Sequence, residues 1–282
     1  MLSLDVKCFE GNANEVVKFQ TENVKWETEL LNMNTNVDGV TRSQAEKFNG
    51  VTVCGPNSDG SNIKHYKDGA QYWSTVKPSV SEMHGGDSEI NNIDLEGSVK
   101  FLRGLFKLQK APSKEYALDC GAGIGRVTEN LLKLHFKHVD LVEQNNAFLE
   151  KAIECIGNKG KNKKKYKFFC CGLQNFTPEP STYDIIWCQW VLTQLKDSHL
   201  IEFLKRCGVG LKTNGIIVVK ENITSSGKVE RDDIDSSVTR PNSHFHYIFR
   251  KANLDVIRET PQRQFPKELY TVQMFALKPN SK

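Results

Sequence analysis

Residues 119–126, Asp119-Cys120-Gly121-Ala122-Gly123-Ile124-Gly125-Arg126, decide how this chain folds. They end the apolar run Tyr116–Cys120, which reads as a short strand. They lead into Arg126–Phe136, where Val127, Leu131 and Leu134 recur at helical spacing. A strand that passes through a glycine turn into a helix begins a βα unit. Glycine there lets the backbone turn tightly and approach a ligand closely, with the free N–H groups of the helix start turned toward it. The dinucleotide fingerprint G-x-G-x-x-G wants its third glycine where this chain has Arg126. The spacing is instead G-x-G-x-G with an acid just ahead of it, and a ligand without a pyrophosphate has less need of the dinucleotide spacing.

Outward from this turn, strand and helix patterns alternate. Strands are predicted at Val139–Glu143, Lys167–Cys171, Tyr183–Gln189 and Ile216–Lys220, with helices at Ala147–Ile156 and Asp197–Leu211. Two final strands are expected near Val256–Arg258 and Thr271–Leu277. Upstream, Asp68–Val76 reads as a short helix ending before Pro78, and a Gly85–Gly86 turn follows. Asp94 reads as the N-cap of a helix through Lys107, with Leu95, Val99, Leu102 and Phe106 on one face. The fold class is therefore α/β, a mainly parallel Rossmann-like sheet with helices on both faces and an N-terminal helical extension. The organisation expected is one domain over residues 66–282, its N-terminal helices in 66–110 and its core in 111–282. Residues 1–65, rich in Asn and Gly, form an appendage.

Composition narrows the function. The 282 residues carry 38 basic and 34 acidic side chains, a net charge of +4. Residues 1–70 account for −3 of this, so the remainder carries +7. The longest aliphatic run is Ile216–Val219, far below the ~20 apolar residues of a spanning helix. No membrane association is expected, and Met1–Glu10 has no pattern of a secretory signal. Eight cysteines without a C-x-x-C pair or zinc spacing point to reduced thiols and no metal. Six lysines in Lys159–Lys167 are compatible with nuclear as well as cytoplasmic residence, and a solvated loop explains them better than phosphate binding.

Glu143 ends the second strand, 24 residues past Asp119. A carboxylate at that edge can accept both hydroxyls of an adenosine ribose. The glycine turn and this acid together resemble motifs of seven-strand, class I S-adenosylmethionine methyltransferases. The segments LDCGAGIGRVT, CCGLQNFTPEP, YDIIWCQWV, NGIIVVKEN and DDIDSSVTR are similar to the protein α-N-terminal methyltransferase family, over about Asp68–Leu277. That resemblance implies methylation of the free α-amine of proteins beginning X-Pro-Lys or X-Pro-Arg after loss of Met. It implies S-adenosyl-L-methionine as cofactor, with S-adenosyl-L-homocysteine as product. Protein or peptide substrates are expected as partners, nucleic acid is not, and the chain is expected to act as a monomer.

Carried over residue by residue, the resemblance puts cofactor binding at Gly121, Gly123, Arg126, Glu143, Leu173, Gln174 and Gln189. Substrate binding falls on Trp73, Trp190, Asp232, Ser237 and Tyr270, with Asp235, Asn222 and Gln194 at the chemistry. Arg126 can pair with the cofactor's carboxylate, the tryptophan faces can hold a proline ring, and Asp232 and Asp235 suit a basic third residue and an α-amine. Two positions depart from the family. Gln194 stands where the family has a histidine, and glutamine cannot accept a proton near neutral pH. His84–Glu89 replaces the family's GGYGHIS-like loop, keeping its glycines. Asp235 is then expected to take or relay the proton, Asn222 to orient the amine, and Asp232 with Ser237 to bind the basic residue. The alternatives are a small-molecule amine N-methyltransferase and a degenerate methyltransferase kept as a binding scaffold.

Overall fold

The computed structural model describes residues 46–48, 51–53, 63–83, 90–156 and 166–280. The Gly85–Gly86 turn, the His84–Glu89 loop and most of the lysine run lie outside the described residues. Strand β3 (Tyr116–Cys120) is the sheet's starting point. From it the chain runs through β4 (His138–Glu143) to β5 (Tyr166–Cys170) on one side. It then returns to β6 (Tyr183–Gln189) and β7 (Leu211–Ile223) on the other. These five are parallel. β8 (Glu230–Arg231) and β9 (Val238–Thr239) make a separate two-stranded sheet. β11 (Thr271–Pro279) pairs antiparallel with β7, and β10 (Leu254–Pro261) pairs antiparallel with β11.

The seven strands other than β8 and β9 are the ones expected. Two more, β1 (Glu46–Phe48) and β2 (Val51–Val53), form a hairpin whose second strand pairs parallel with β5. Among the described residues the main sheet therefore has nine strands rather than seven, in the order β1-β2-β5-β4-β3-β6-β7-β11-β10. The two additions come from the stretch expected to be an appendage.

Alternate residues along the strands feed two apolar layers. On one face Ala117, Leu141, Ile185, Trp187 and Val218 pack beneath α3 (Ile90–Leu105), α4 (residues 126–135) and α5 (Asn146–Ile156). On the other, Leu118, Val142, Ile186, Cys188 and Val219 meet α6 (Asp197–Gly210) and α7 (Asn242–Lys251). Every residue of β6 is buried, as a central parallel strand covered on both faces requires. Asp184 anchors its start, accepting from Ser113 Oγ at 2.6 Å and from the amides of Glu115 and Tyr116 at 3.0 and 2.8 Å.

Several boundaries differ from expectation. The strand expected at Ile216–Lys220 runs from Leu211 to Ile223, and α7 is an additional helix whose Phe245, Ile248 and Phe249 are buried. Leu134, assigned to the inner face of its helix, is 63% exposed. The cause is local: Thr128–Leu132 is a π-helical turn, and its extra residue turns Leu132 inward and Leu134 out. Asp94 is not a cap either. It lies inside α3, fully buried, because its partners come from the sheet. Upstream, α1 (Ile63–Thr75) and α2 (Val80–Met83) lead toward the glycine turn. Among the described residues no helix is long and apolar enough to cross a membrane.

Candidate active site

The strand order reverses at β3, with β4 on one side and β6 on the other. In such sheets a crevice opens at the carboxyl ends of the strands flanking the reversal. Two adjoining clefts occupy that place and share Trp73, Met83, Gly121, Trp190 and Gln194. The first is lined by Glu143, Gln144, Phe148, Leu173 and Gln174 as well. The second adds Arg126, Gln189, Glu221, Asn222, Asp235, Ser237 and Tyr270.

The glycine turn is shaped by backbone necessity. Gly121, Gly123 and Gly125 have φ of +68°, +55° and +80°, a region costly for residues with a Cβ. A Cβ on Gly121 would also lie 2.3 Å from the Val191 side chain. Glu143 ties this turn to the next strand: one carboxylate oxygen accepts the Gly123 amide at 2.9 Å, the other the Asn145 amide at 2.8 Å. Burial pushes its carboxyl above the usual carboxylate range, and these backbone donors offset only part of that rise. Asn145 in turn donates to the Trp73 carbonyl at 3.0 Å, and the Trp73 ring meets Phe148 edge-on at 6.3 Å. Leu173 and Gln174 are fixed by Arg206, which donates to their carbonyls at 3.0 and 3.1 Å.

Behind the turn lies a buried ionic cluster. Arg126 donates to Asp94 at 2.7 Å and to Asn91 at 3.2 Å. Gln189 donates to Asp94 at 2.8 Å, and the Lys220 ammonium contacts the same carboxylate. Desolvation works against the Asp94 charge, but Arg126 and Lys220 outweigh it and bring the carboxyl down to about 2. Asp119 fares differently: burial drives it up to about 6, though Thr128 Oγ1 donates to it at 2.6 Å.

The far cleft gathers the groups expected at the chemistry. Trp190 has φ +51° and its Nε1 donates to Asn222 Oδ1 at 3.2 Å. Gln194 Nε2 donates to Asp235 Oδ2 at 2.8 Å, and the Ser237 amide donates to Asp235 Oδ1 at 2.8 Å. Tyr270 donates its hydroxyl to Glu230 at 2.6 Å on the rim. Asp232 stands apart. It is exposed and outside the cleft lining, and its Oδ1 accepts the Ile234 amide at 2.7 Å, closing its own turn.

The comparisons with known proteins agree on one family. Residues 61–278 match the family model described as AdoMet dependent proline di-methyltransferase. This chain belongs to that family. The N-terminal Xaa-Pro-Lys N-methyltransferase 1 of Rattus norvegicus is 47% identical to the methyltransferase over 216 residues, 76% of this chain and 95% of the relative. The protein of the same name from Danio rerio is 46% identical over 214 residues, with the same shares. A solved SAM-dependent methyltransferase from Leishmania major superposes with a TM-score of 0.71 at 34% identity, covering 76% of this chain and 83% of that one. Phosphoethanolamine N-methyltransferase 1 of Haemonchus contortus, at 17% identity, a TM-score of 0.62, and coverage of 78% and 50%, shares the fold alone.

S-adenosylmethionine fits the methyltransferase's cleft. The glycine turn leaves a cradle that side chains would fill, and Glu143 keeps a lone pair on each oxygen for a hydroxyl donor. Residues missed by motif matching hold these groups in place. Asp94 and Lys220 orient Arg126 and Gln189. Glu221 and Arg240 flank the Trp190–Gln194 turn, and His65 Nε2 donates to the Gln194 carbonyl at 2.9 Å. Lys220 and Glu221, inside NGIIVVKEN, and Arg240, inside DDIDSSVTR, sat within quoted motifs with charges that called for partners, whereas Asp94 and His65 lay outside them.

Proposed function

We propose that this enzyme transfers methyl groups from S-adenosylmethionine to the free α-amine of protein N-termini of the X-Pro-Lys or X-Pro-Arg type, exposed once Met is removed. The observation that carries this reading is the convergence of Trp190, Asn222 and the Gln194–Asp235 pair beside the glycine turn. When bound, the cofactor supplies a methyl group already activated on a sulfonium. Gly121, Gly123, Arg126, Glu143, Leu173, Gln174 and Gln189 would hold it.

The chain's own task is to align the amine and free its lone pair. An α-amine has a pKa of ~7.7–8.0 against ~10.4 for lysine, so removing its proton near neutral pH costs about one unit. Asp235 takes that proton. Gln194 and the Ser237 amide hold the carboxylate's plane while leaving each oxygen able to accept. Asn222, pinned by Trp190, orients the amine, and the Trp73 and Trp190 faces enclose the proline ring. Ser237, Tyr270 and the acidic rim bearing Glu230 and Asp232 receive the basic third residue.

The same proposal has a monomer working in the cytoplasm, the nucleus or both, without nucleic acid. The free thiols of the buried Cys120, Cys188 and Cys207 suit a reducing compartment. It keeps residues 66–282 as the catalytic domain. The test is incubation with S-adenosylmethionine and a short X-Pro-Lys peptide, reading peptide mass beside an N-acetylated control. Methyl gain on the free peptide alone is the expected result. No gain, with cofactor binding shown by calorimetry, overturns the reading in favour of another amine acceptor or a binding scaffold.

A further inference from the structure

The turn carrying Trp190 and Gln194 is gripped from both sides by buried ions of opposite sign. Glu221 is fully buried, and its Oε1 accepts the amides of Val191 and Leu192, both at 2.7 Å. Arg240, also fully buried, takes the other side, donating to the carbonyls of Leu192 at 3.1 Å and Leu195 at 2.5 Å. The same guanidinium donates to the Val238 carbonyl at 3.2 Å, three residues past Asp235. It therefore ties the two segments whose side chains meet as the Gln194–Asp235 pair.

Glu221 is an expensive way to hold two amides. Its Oε2 is buried with no hydrogen-bond partner among the described residues, and an unsatisfied buried carboxylate oxygen costs stability. Burial pushes the carboxyl up to about 7, although both amides and Arg240 pull the other way. The amides it holds at that cost follow directly on Trp190. Its left-handed backbone is strained for a residue with a side chain and persists only where the surroundings over-determine it.

We infer that Glu221 is a positioning residue for methyl transfer: with Arg240 opposite, it fixes the turn that keeps Trp190 left-handed and delivers Gln194 to Asp235. This rests on the reading that Asp235 serves the amine. Glutamine at position 221 would offer the same acceptor oxygen to both amides. It would lose the charge and put a donor where the bare oxygen now lies.

The experiment compares wild type, Glu221→Gln, Gln194→Ala and the double variant. Expected in Glu221→Gln is a kcat loss of about 10- to 100-fold on an X-Pro-Lys peptide, with peptide KM and the S-adenosylhomocysteine Kd changed less than about threefold. In the Gln194→Ala background the same substitution should cost several-fold less than in wild type, since one of the two contacts it serves is already gone. The Trp190 indole N–H resonance, assigned by its loss in Trp190→Phe, should move in the free Glu221→Gln protein.

An unchanged kcat overturns the inference, as does a full loss that persists beside Gln194→Ala. Should Glu221→Gln fail to fold, Glu221→Asp, one methylene short but still charged, carries the same comparisons. If wild type itself leaves the peptide unmethylated, the functional reading is at fault. The indole resonance then decides the positioning alone, and an unmoved signal overturns it.

Discussion

Gln194 and Asp235 are joined by a 2.8 Å hydrogen bond in which the glutamine amide is the donor. The direction of that bond matters. A histidine in Gln194's place could orient Asp235 and also pass a proton onward, whereas glutamine does only the first. The Ser237 amide completes the grip on the other oxygen. On the proposed mechanism, the proton route from a bound amine therefore runs through Asp235 and from there to water.

Asp235→Asn tests that route. Asparagine keeps the shape and one acceptor oxygen but cannot take the proton. Methyl transfer should fall by at least about 100-fold, the usual scale of a lost general base. The S-adenosylhomocysteine Kd, read by calorimetry, should stay within about twofold because Asp235 lines the far cleft, not the one bearing Glu143. Near-normal turnover would remove Asp235 from the mechanism.

Gly69→Ala separates geometry from stability. A Cβ there would lie 2.6 Å from Gln194 Oε1 and 3.3 Å from the Asp235 carbonyl. The first is the far end of a flexible side chain, so it can move aside at little cost. Alanine also gains up to about 1 kcal/mol of helix propensity over glycine inside α1. Tm should hold or rise while kcat falls by about tenfold, as Gln194 leaves Asp235. Restoring the space with Gln194→Ala should make the Gly69→Ala change silent; a loss that persists in that background would show that Gly69 acts on something other than Gln194.

Local pattern was enough to read most of the sheet, because each central strand is a short apolar run closed by turn residues. Tyr183–Gln189 lies where its composition puts it. Asp94 misled because an acid before an apolar-periodic stretch is also what an N-cap looks like. What makes it an internal ion is Lys220, 126 residues away, and no local rule sees such a partner. Leu134 misled because one extra residue in a π turn shifts every later side chain on that helix. α7 did carry its signal, apolar residues at 245, 248 and 249, but amid histidines and a tyrosine that blur the stripe. At the site, most of the groups proposed to meet a ligand, such as Gly121, Gln189, Asn222 and Asp235, lay in motifs whose chemistry could be read directly. Those that hold them, such as Glu221 beneath Val191 and Leu192, declare themselves only through backbone contacts.

The buried Asp119 sets a pH dependence of stability. Its folded carboxyl is raised to about 6 from 3.8, chiefly by desolvation. Protonation is thus easier in the folded state than in the unfolded one. The stability this brings is fully present below about pH 4 and is lost as pH rises through about 6. Asp119→Asn does not ionise and can still accept from Thr128. Relative to wild type it should gain stability between pH 4 and pH 8, up to about 3 kcal/mol for a shift of this size. Urea midpoints of both proteins across that range measure it, and parallel curves would show that Asp119 does not titrate in the fold.

Asp94→Asn should be among the most damaging single changes. The carboxylate meets Arg126 at 2.7 Å, contacts the fully buried Lys220 and accepts from Gln189. A neutral amide would leave Lys220 buried without its counter-charge, and breaking one partner of such a cluster costs about 3–5 kcal/mol. Arg126 and Gln189 line the cleft beside the glycine turn, so cofactor affinity should fall together with Tm. The cause can be isolated by adding Lys220→Met, which removes the orphaned ammonium and fills its volume. The double variant should regain Tm over Asp94→Asn, although Ser98 and Gln262 lose the lysine as a donor. Its cofactor affinity should stay low, because Arg126 still lacks its anchor. A double variant no more stable than Asp94→Asn would mean that the cost lies in Arg126 and Gln189, not in the stranded lysine.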